Sequence, residues 1–581
     1  MSFHPKILRF VFTLAVIAGV IFLAHQGYCY YEDPNEDGYC VILMRGDFTG
    51  GPQTLPNTSG FWTGLTYPVK ALYTIKGDAD WYGIFMTVGY GLLLFQIAQI
   101  LPFIYSGLKK ITSKWVAIVV ICISAVLFSE NLFLWQLTRL SLLLSGISFF
   151  KIWLNLNDTQ HTRQYKWASY VFNVLCFSYA AFIRSEPAAV NFAVWLPLVM
   201  LDYINGTTLK KYVAFVPLLV VIGIIAFITN TPTNQADSNY LAFRKYQFSF
   251  FDYKQPAGTL NIRTAEDSMI YAAATTAFLS DSAKLNTAYF KRIGMMPMDK
   301  TPSALPYYFR NLSTGPGKIK KAWSKIATGS PAFLLFYWLC FLVGMVIIYI
   351  TAKEKMFWYL LSQLWPVILF LGITTFMKME NRVLVPMMWC FLIQNLVWCF
   401  FLTGEKHIST KLASVLALIF VFVGLAIGKA DTARVYNRWK LKQYEEAQAD
   451  KLMQNINTRT EKIIVVNDNA CSKLAIRPFK PRYVFTDKKI VCLNYFQLFW
   501  LAGYGPYMES VCGKSDLPGI VKALYEQKNN VLFISKPARM EMIKDYFGVL
   551  YHFNLPYTAV DATVNTNSNL KNSEAYLYRF I

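Results

Sequence analysis

Apolar runs long enough to cross a lipid bilayer recur along this 581-residue chain, near 7–25, 82–106, 115–128, 132–154, 167–183, 187–204, 212–230, 331–352, 356–377, 383–404 and 412–430. About 20 residues at 1.5 Å each cover the roughly 30 Å hydrocarbon core. Lipid offers no water to a bare peptide group, so each run has to close its hydrogen bonds internally, as a helix. Eleven such runs constrain the chain to an α-helical polytopic membrane protein. The charged fraction agrees: it is 15%, where a soluble protein carries about 25%. The opening MSFHPKILRFVFTLAVIAGVIFLA has a basic start and a long apolar core, with no small-x-small cleavage site before Glu32, and reads as a retained signal anchor.

The net charge of +22 is distributed in a way that argues against nucleic acid, whose binders gather basic residues on one soluble surface. Here the basic residues fall in short loops between runs. With the N-terminus, Lys6 and Arg9 placed in the cytoplasm, alternate loops carry Lys109, Lys110 and Lys114; Arg163 and Lys166; Lys210 and Lys211; Lys353 and Lys355; and Lys406 and Lys411. Every cytoplasmic loop is then basic, as the positive-inside rule requires. Three large segments fall on the opposite side: loop 26–81, loop 231–330, and the tail 431–581. The expected organisation is a membrane domain over 1–430 and an extracytoplasmic α/β domain over 431–581. The tail opens with the charged helical stretch DTARVYNRWKLKQYEEAQADKLMQ. Strand-like runs (KIIVVND, YVFTD, KIVCLNY, NVLFIS) then alternate with helix-like ones (DLPGIVKALYEQ, KPARMEMIKDYFG), which predicts a small, partly parallel sheet. It holds no GxGxxG or P-loop.

The ten cysteines show no CxxC or Cys/His ligand spacing. Cys29 with Cys40, and Cys492 with Cys512, are pairs for an oxidising compartment. No ligand spacing demands a metal, although a divalent ion beside the acids would be compatible with them.

Ionisable residues collect on the extracytoplasmic side. The first loop holds Glu32, Asp33, Glu36 and Asp37 within six residues. The turns there carry Glu130 (SEN), Arg184 and Glu186 (IRSEP), and Lys378, Glu380 and Arg382 (KMENR). Any one such turn is what interfacial capping and snorkelling produce. Several on one face place carboxylates for proton transfer beside arginines for phosphate. Arg139 lies seven residues into the fourth run, roughly 10 Å deep at 1.5 Å per residue, where it needs a polar partner. Loop 231–330 is aromatic and basic, as interfacial segments are, and offers Arg244, Lys245, Arg292 and Arg310 to a phosphate.

These elements, in this order and on one side, resemble those of the GT-C glycosyltransferases. NEDGYCVILMRGDF resembles the acidic element of that family's first outer loop, and GFWTGLTYPVKALYTI its aromatic–proline stretch. LFSENLFLWQL, AFIRSEPAAVNFAVWLPL and MENRVLVPMMW resemble the later acid-, arginine- and proline-bearing segments. The resemblance covers the first 430 residues. It implies sugar transfer from a polyprenyl-phosphate donor to a glycan, lipid or protein acceptor, with inversion, at the outer face of a membrane, most simply the bacterial inner membrane with the tail in the periplasm. The short spacing to Gly46-Asp47 leaves Asp37 and Asp33 both eligible as the base, with Glu36 between them. The protein O-mannosyltransferase and aminoarabinose-transferase branches place a lysine before the loop proline. This chain has Tyr67 before Pro68, and Lys70 is the candidate substitute. Arg184 and Arg382 would steady the departing phosphate, and Glu130, Glu186 and Glu380 would orient them or bind sugar hydroxyls. An O-antigen polymerase or ligase would share the arginines and the large outer loop without needing an acidic first loop. A flippase or transporter of lipid-linked glycans would show an internal repeat and several midplane charges. The chain has no such repeat, and Arg139 alone lies deep in a run.

Overall fold

In a computed structural model the described residues are 5–31, 39–55 without 48, 62–232 without 159–161 and 208, 241–246, 260–297 without 277–280 and 282, 331–376, 381–403, 410–467, 478–479, 487–493, 504–561 and 576–581, with single positions between. The chain divides into two compact units. The first comprises residues 1–32, 83–227 and 306–440, and the second comprises 33–82, 228–305 and 441–581.

The first unit is helical. Each of the eleven expected runs is helical for most of its length, and among the described residues eight helices are long and apolar enough to cross a membrane. Arg163–Ile183 is not among the eight, because Arg163, Gln164, Lys166 and Asn173 lower its hydropathy. The runs 7–25 and 412–430 include positions whose side chains lie outside the description. The fourth run differs from its expected form. A two-residue strand, Leu134–Trp135, interrupts it, and the helix begins only at Leu137. Gln136 caps that helix by accepting from the Arg139 amide at 2.8 Å. Arg139 is therefore the third residue of its helix rather than the second turn of a longer one.

Helix Leu137–Asn157 is the core of this unit, and seventeen consecutive residues from Leu137 to Trp153 are buried. It packs against Arg163–Ile183, Ser185–Val194 and Asn381–Thr403. Gly146 permits the approach: a Cβ there would lie 2.9 Å from both Asn191 Oδ1 and Cys390 Sγ. Small residues serve this purpose where packing rather than water exclusion drives helix association. Polar side chains inside the bundle pair with one another. Gln96 Nε2 donates to Ser148 Oγ and Asn173 Oδ1, each at 2.8 Å, and Asn191 Nδ2 donates to Ser145 Oγ at 2.8 Å.

The second unit contains a five-stranded sheet. In chain order β1 and β2 are the short strands Tyr30–Tyr31 and Leu134–Trp135 of the first unit. The sheet strands are β3 (Ile463–Val466), β4 (Lys489–Cys492), β5 (Val531–Ser535), β6 (Tyr557–Asp561) and β7 (Tyr576–Phe580), in the order β4-β3-β5-β7-β6. β3 pairs in parallel with β4 and β5, and β7 runs antiparallel to β5 and β6. The fully buried runs IIVV and VLFIS suit central strands covered on both faces. Of the expected strands, YVFTD lies outside the described residues except for Asp487, which stands in a turn. The two expected helices form as Leu517–Glu526, capped by Asp516 onto the Gly519 amide at 2.8 Å, and Pro537–Tyr551. Helix Ala265–Thr276 packs on Pro537–Tyr551, and the buried Asp281 carboxylate accepts from Tyr546 Oη at 2.8 Å and Tyr551 Oη at 2.5 Å. Cys29, Cys40, Cys492 and Cys512 are all buried, and the expected disulfides between them are not formed. Burial pushes the Cys512 thiol up to about 11.

Candidate active site

Glu130 opens a single helical turn, Glu130–Phe133, between the helix Lys114–Phe128 and the strand β2. It is not a solvated turn residue, since its side chain is 2% exposed. Three guanidiniums converge on its carboxylate. Arg139 Nη2 donates to Oε1 at 3.1 Å, Arg438 Nη1 donates to the same oxygen at 3.0 Å, and Arg434 Nη2 donates to Oε2. Arg139 Nη1 also donates to Asn131 Oδ1 at 2.9 Å, and Arg434 Nε to Asp431 Oδ1 at 3.1 Å. A buried arginine survives in such a place because a carboxylate and an amide take its donors. The group so far comprises two carboxylates, Glu130 and Asp431, and three guanidiniums, Arg139, Arg434 and Arg438. The side chains are graded outward, at 0% exposed for Arg139, 20% for Arg434 and 36% for Arg438. Guanidiniums of this kind are chemically able to hold a carboxylate or a phosphate.

Arg184 adjoins through Thr138. It caps the helix Arg163–Ile183, its Nη1 donates to Thr138 Oγ1 at 2.5 Å, and its carbonyl accepts from Ser141 Oγ at 2.7 Å. Its Nε lies 3.9 Å from Glu186 Oε2. Arg382 stands in the first turn of helix Asn381–Thr403, half-buried.

The chain leading into the acidic loop is fastened beside this group. β1 pairs in parallel with β2, Tyr30 opposite Leu134 and Tyr31 opposite Trp135. Cys29 Sγ donates to the Leu132 carbonyl at 3.3 Å. Trp439, next to Arg438, donates from Nε1 to the Tyr28 carbonyl at 3.1 Å and stacks on the Tyr28 ring. The candidate bases Asp33, Glu36 and Asp37 lie outside the described residues, as do Glu380 and Arg310.

The structure thus joins Glu130 to Arg139, and Arg184 to Glu186. It adds Asp431, Arg434 and Arg438, which sequence reasoning assigned to a charged tail helix. Their signal was an i, i+4 arginine pair with an aspartate three residues earlier, directly after an apolar run.

Other candidates sit in the second unit. Lys70 lies on helix Thr66–Ile75, half-buried, and its ammonium makes no ion pair among the described residues. Asp47 is held by Arg45, whose Nε donates to Oδ2 at 2.9 Å. Burial opposes the Arg45 charge, but Asp47 outweighs it and raises the guanidinium pKa. Arg292 is engaged by Asp267 at 2.6 Å rather than left for a phosphate. Arg244 and Lys245 lie in the helical segment 241–246. No group of three or more His, Cys, Asp or Glu side chains able to hold a metal occurs among the described residues.

No protein-family model and no curated protein matches the chain. Among solved structures the chain is similar to the crystal structure of ArnT from Cupriavidus metallidurans bound to undecaprenyl phosphate, at 11% identity and TM-score 0.41, over 98% of this chain and 97% of that one. It is also similar to the same protein in the apo state, at 12% identity and TM-score 0.36, over 99% and 98%.

Proposed function

We propose that the protein is an inverting membrane glycosyltransferase that moves a sugar from a polyprenyl-phosphate donor to an acceptor on the extracytoplasmic face. One observation supports this most. The pairing of β1 with β2 holds the residues just before the acidic stretch against the segment that carries Glu130, where three guanidiniums meet. Breaking the bond between an anomeric carbon and a lipid phosphate requires two things. A base must take the acceptor hydroxyl proton, and cations must stabilise the charge growing on the leaving phosphate. Asp33, Glu36 and Asp37, two to six residues past Tyr31, are the proposed bases. Arg438 and Arg434, with Arg184 and Arg382 beside them in the proposal, receive the phosphate. Glu130 and Arg139 form the fixed floor that orients them. In-line attack by the acceptor gives inversion.

The test is turnover of labelled polyprenyl-phosphate sugars by the purified protein and its variants. Asp37→Asn or Asp33→Asn is expected to lower the rate by at least 100-fold, the order of one general base. Full turnover in both variants, with Glu36→Gln also active, overturns the assignment of the base.

A further inference from the structure

Residues 135–139 lead into the core helix of the first unit, and within this short turn successive side chains hold different parts of the chain. Trp135, the end of β2, lies opposite Tyr31 of β1 and stacks on Tyr90 with ring centroids 4.8 Å apart. Gln136 is fixed through both amide atoms: Oε1 accepts from the Arg139 N–H at 2.8 Å, and Nε2 donates to Thr138 Oγ1 at 3.2 Å. The main-chain donor at Arg139 settles which amide atom is the oxygen. Thr138 Oγ1 accepts a second time, from Arg184 Nη1 at 2.5 Å, and Arg139 reaches Glu130. A hydroxyl oxygen has two lone pairs. In Thr138 one serves a buried amide and the other a guanidinium. Trp135, Gln136, Thr138 and Arg139 are each at most 1% exposed, so little water competes for these bonds.

Arg184 needs such a hold. Its backbone is extended, at φ −160° and ψ 114°, between helix Arg163–Ile183 and helix Ser185–Val194. Its N–H donates to the Ala180 carbonyl at 3.1 Å, and its own carbonyl is taken by Ser141, one turn along from Thr138. Glu186 Oε2, at 3.9 Å from Nε, is beyond hydrogen-bond length and offsets charge there without setting a position. The Arg184 side chain is 21% exposed, so the guanidinium can still be reached by a ligand. An arginine gives up much rotamer freedom when it grips an anion, and a hydrogen bond already made in the free protein lowers that cost.

We infer, building on the phosphate-binding role proposed above for Arg184, that Thr138 is a positioning residue for the donor phosphate. Its hydroxyl, aimed by Gln136, holds the Arg184 guanidinium where that phosphate binds. Gln136 also caps the helix that carries Arg139, so one turn ties Arg184 to Glu130 and the arginines around it. Thr138 touches no reacting atom and acts through Arg184.

The test measures retention of a polyprenyl monophosphate by the full-length protein in detergent, read by native mass spectrometry. Arg184→Gln is expected to weaken it by about tenfold, the worth of one charge-assisted bond. Thr138→Val is expected to weaken it by a similar factor, and Thr138→Ser, which keeps the hydroxyl, to stay within about twofold of the wild type. Thr138→Val combined with Arg184→Gln is expected to bind no more weakly than Arg184→Gln alone, because a hydroxyl that acts through a guanidinium has nothing to act on once it is gone. A merely structural role would let the two losses multiply. Multiplied losses, or wild-type binding by Thr138→Val while Arg184→Gln is weakened, overturn the inference and leave the proposed donor site standing. Wild-type binding by Arg184→Gln overturns both. Thr138→Cys, close to serine in size and a weak acceptor, replaces the valine variant throughout if that chain does not fold.

Discussion

Replacing Glu130 by glutamine removes the charge on which three arginines depend. Arg139 is fully buried and would lose its carboxylate partner while keeping its bond to the Asn131 carbonyl oxygen. Removing one member of a buried pair costs about 3–5 kcal/mol, most of it from the charge left behind. The helical unit has about 300 residues, and an unfolding entropy of roughly 2.1 cal/mol/K per residue makes 1 kcal/mol worth about 1.5 °C. Glu130→Gln is therefore expected to lower the Tm by about 5–8 °C, read by tryptophan fluorescence in a fixed detergent. Arg139→Met should cost a similar amount, because it leaves Glu130 to the two more exposed arginines. The double variant should recover a coupling of about 1–3 kcal/mol, since the two groups are in direct contact. The reasoning fails if Glu130→Gln melts within 1 °C of the wild type, or if the two single changes simply add.

Arg438 is more than a third exposed, where an ion pair adds little stability. Arg438→Gln should keep the wild-type Tm within about 1 °C and still weaken retention of a polyprenyl phosphate on a lipid-overlay or native mass-spectrometric assay by about 10-fold, the worth of one charge-assisted bond. Both amide atoms of Asn467, buried just past the end of β3, lack partners among the described residues. Asn467→Leu should raise the Tm of the second unit, by relieving about 1–3 kcal/mol of unmet hydrogen bonding; an unchanged or lower Tm contradicts this. Burial opposes the Glu461 carboxylate, but backbone donation and the Arg579 guanidinium outweigh it and hold its pKa below the usual range. A lowered carboxylate pKa stabilises the folded state above the unfolded pKa, about 4.3, and that stabilisation is lost as pH falls through the folded value. The Tm gap between wild type and Glu461→Gln should be full at pH 6–7 and shrink on acidification below about 4.3; a gap that widens there refutes the assignment.

Much of the scaffold was legible because its determinants are local. Helix Asn381–Thr403 begins within two residues of the apolar run read at 383–404, and IIVV and VLFIS become strands where their buried, β-branched character demands it. The break at Leu134–Trp135 was not legible. Those residues are as apolar as a helix needs, and only pairing with Tyr30 and Tyr31 makes them a strand. The partners of Glu130 were hidden for a related reason. Arg434 and Arg438 lie more than 300 positions downstream, on a stretch whose alternating charges read as a solvated helix face. Pattern within a segment reports what that segment can become. It does not report which distant segment will supply its counter-charge.

The parallel bridge between β1 and β2 has a consequence for biogenesis. Its two partners are 104 positions apart, and a parallel pairing cannot be closed by a tight turn. Tyr30 and Tyr31 therefore wait for their partner strand until the ribosome has delivered the next two long helices and the turn that follows them. Non-local contacts of this kind form late and slowly. A nascent chain stalled before Leu134 would lack the strand that pairs with Tyr30 and Tyr31.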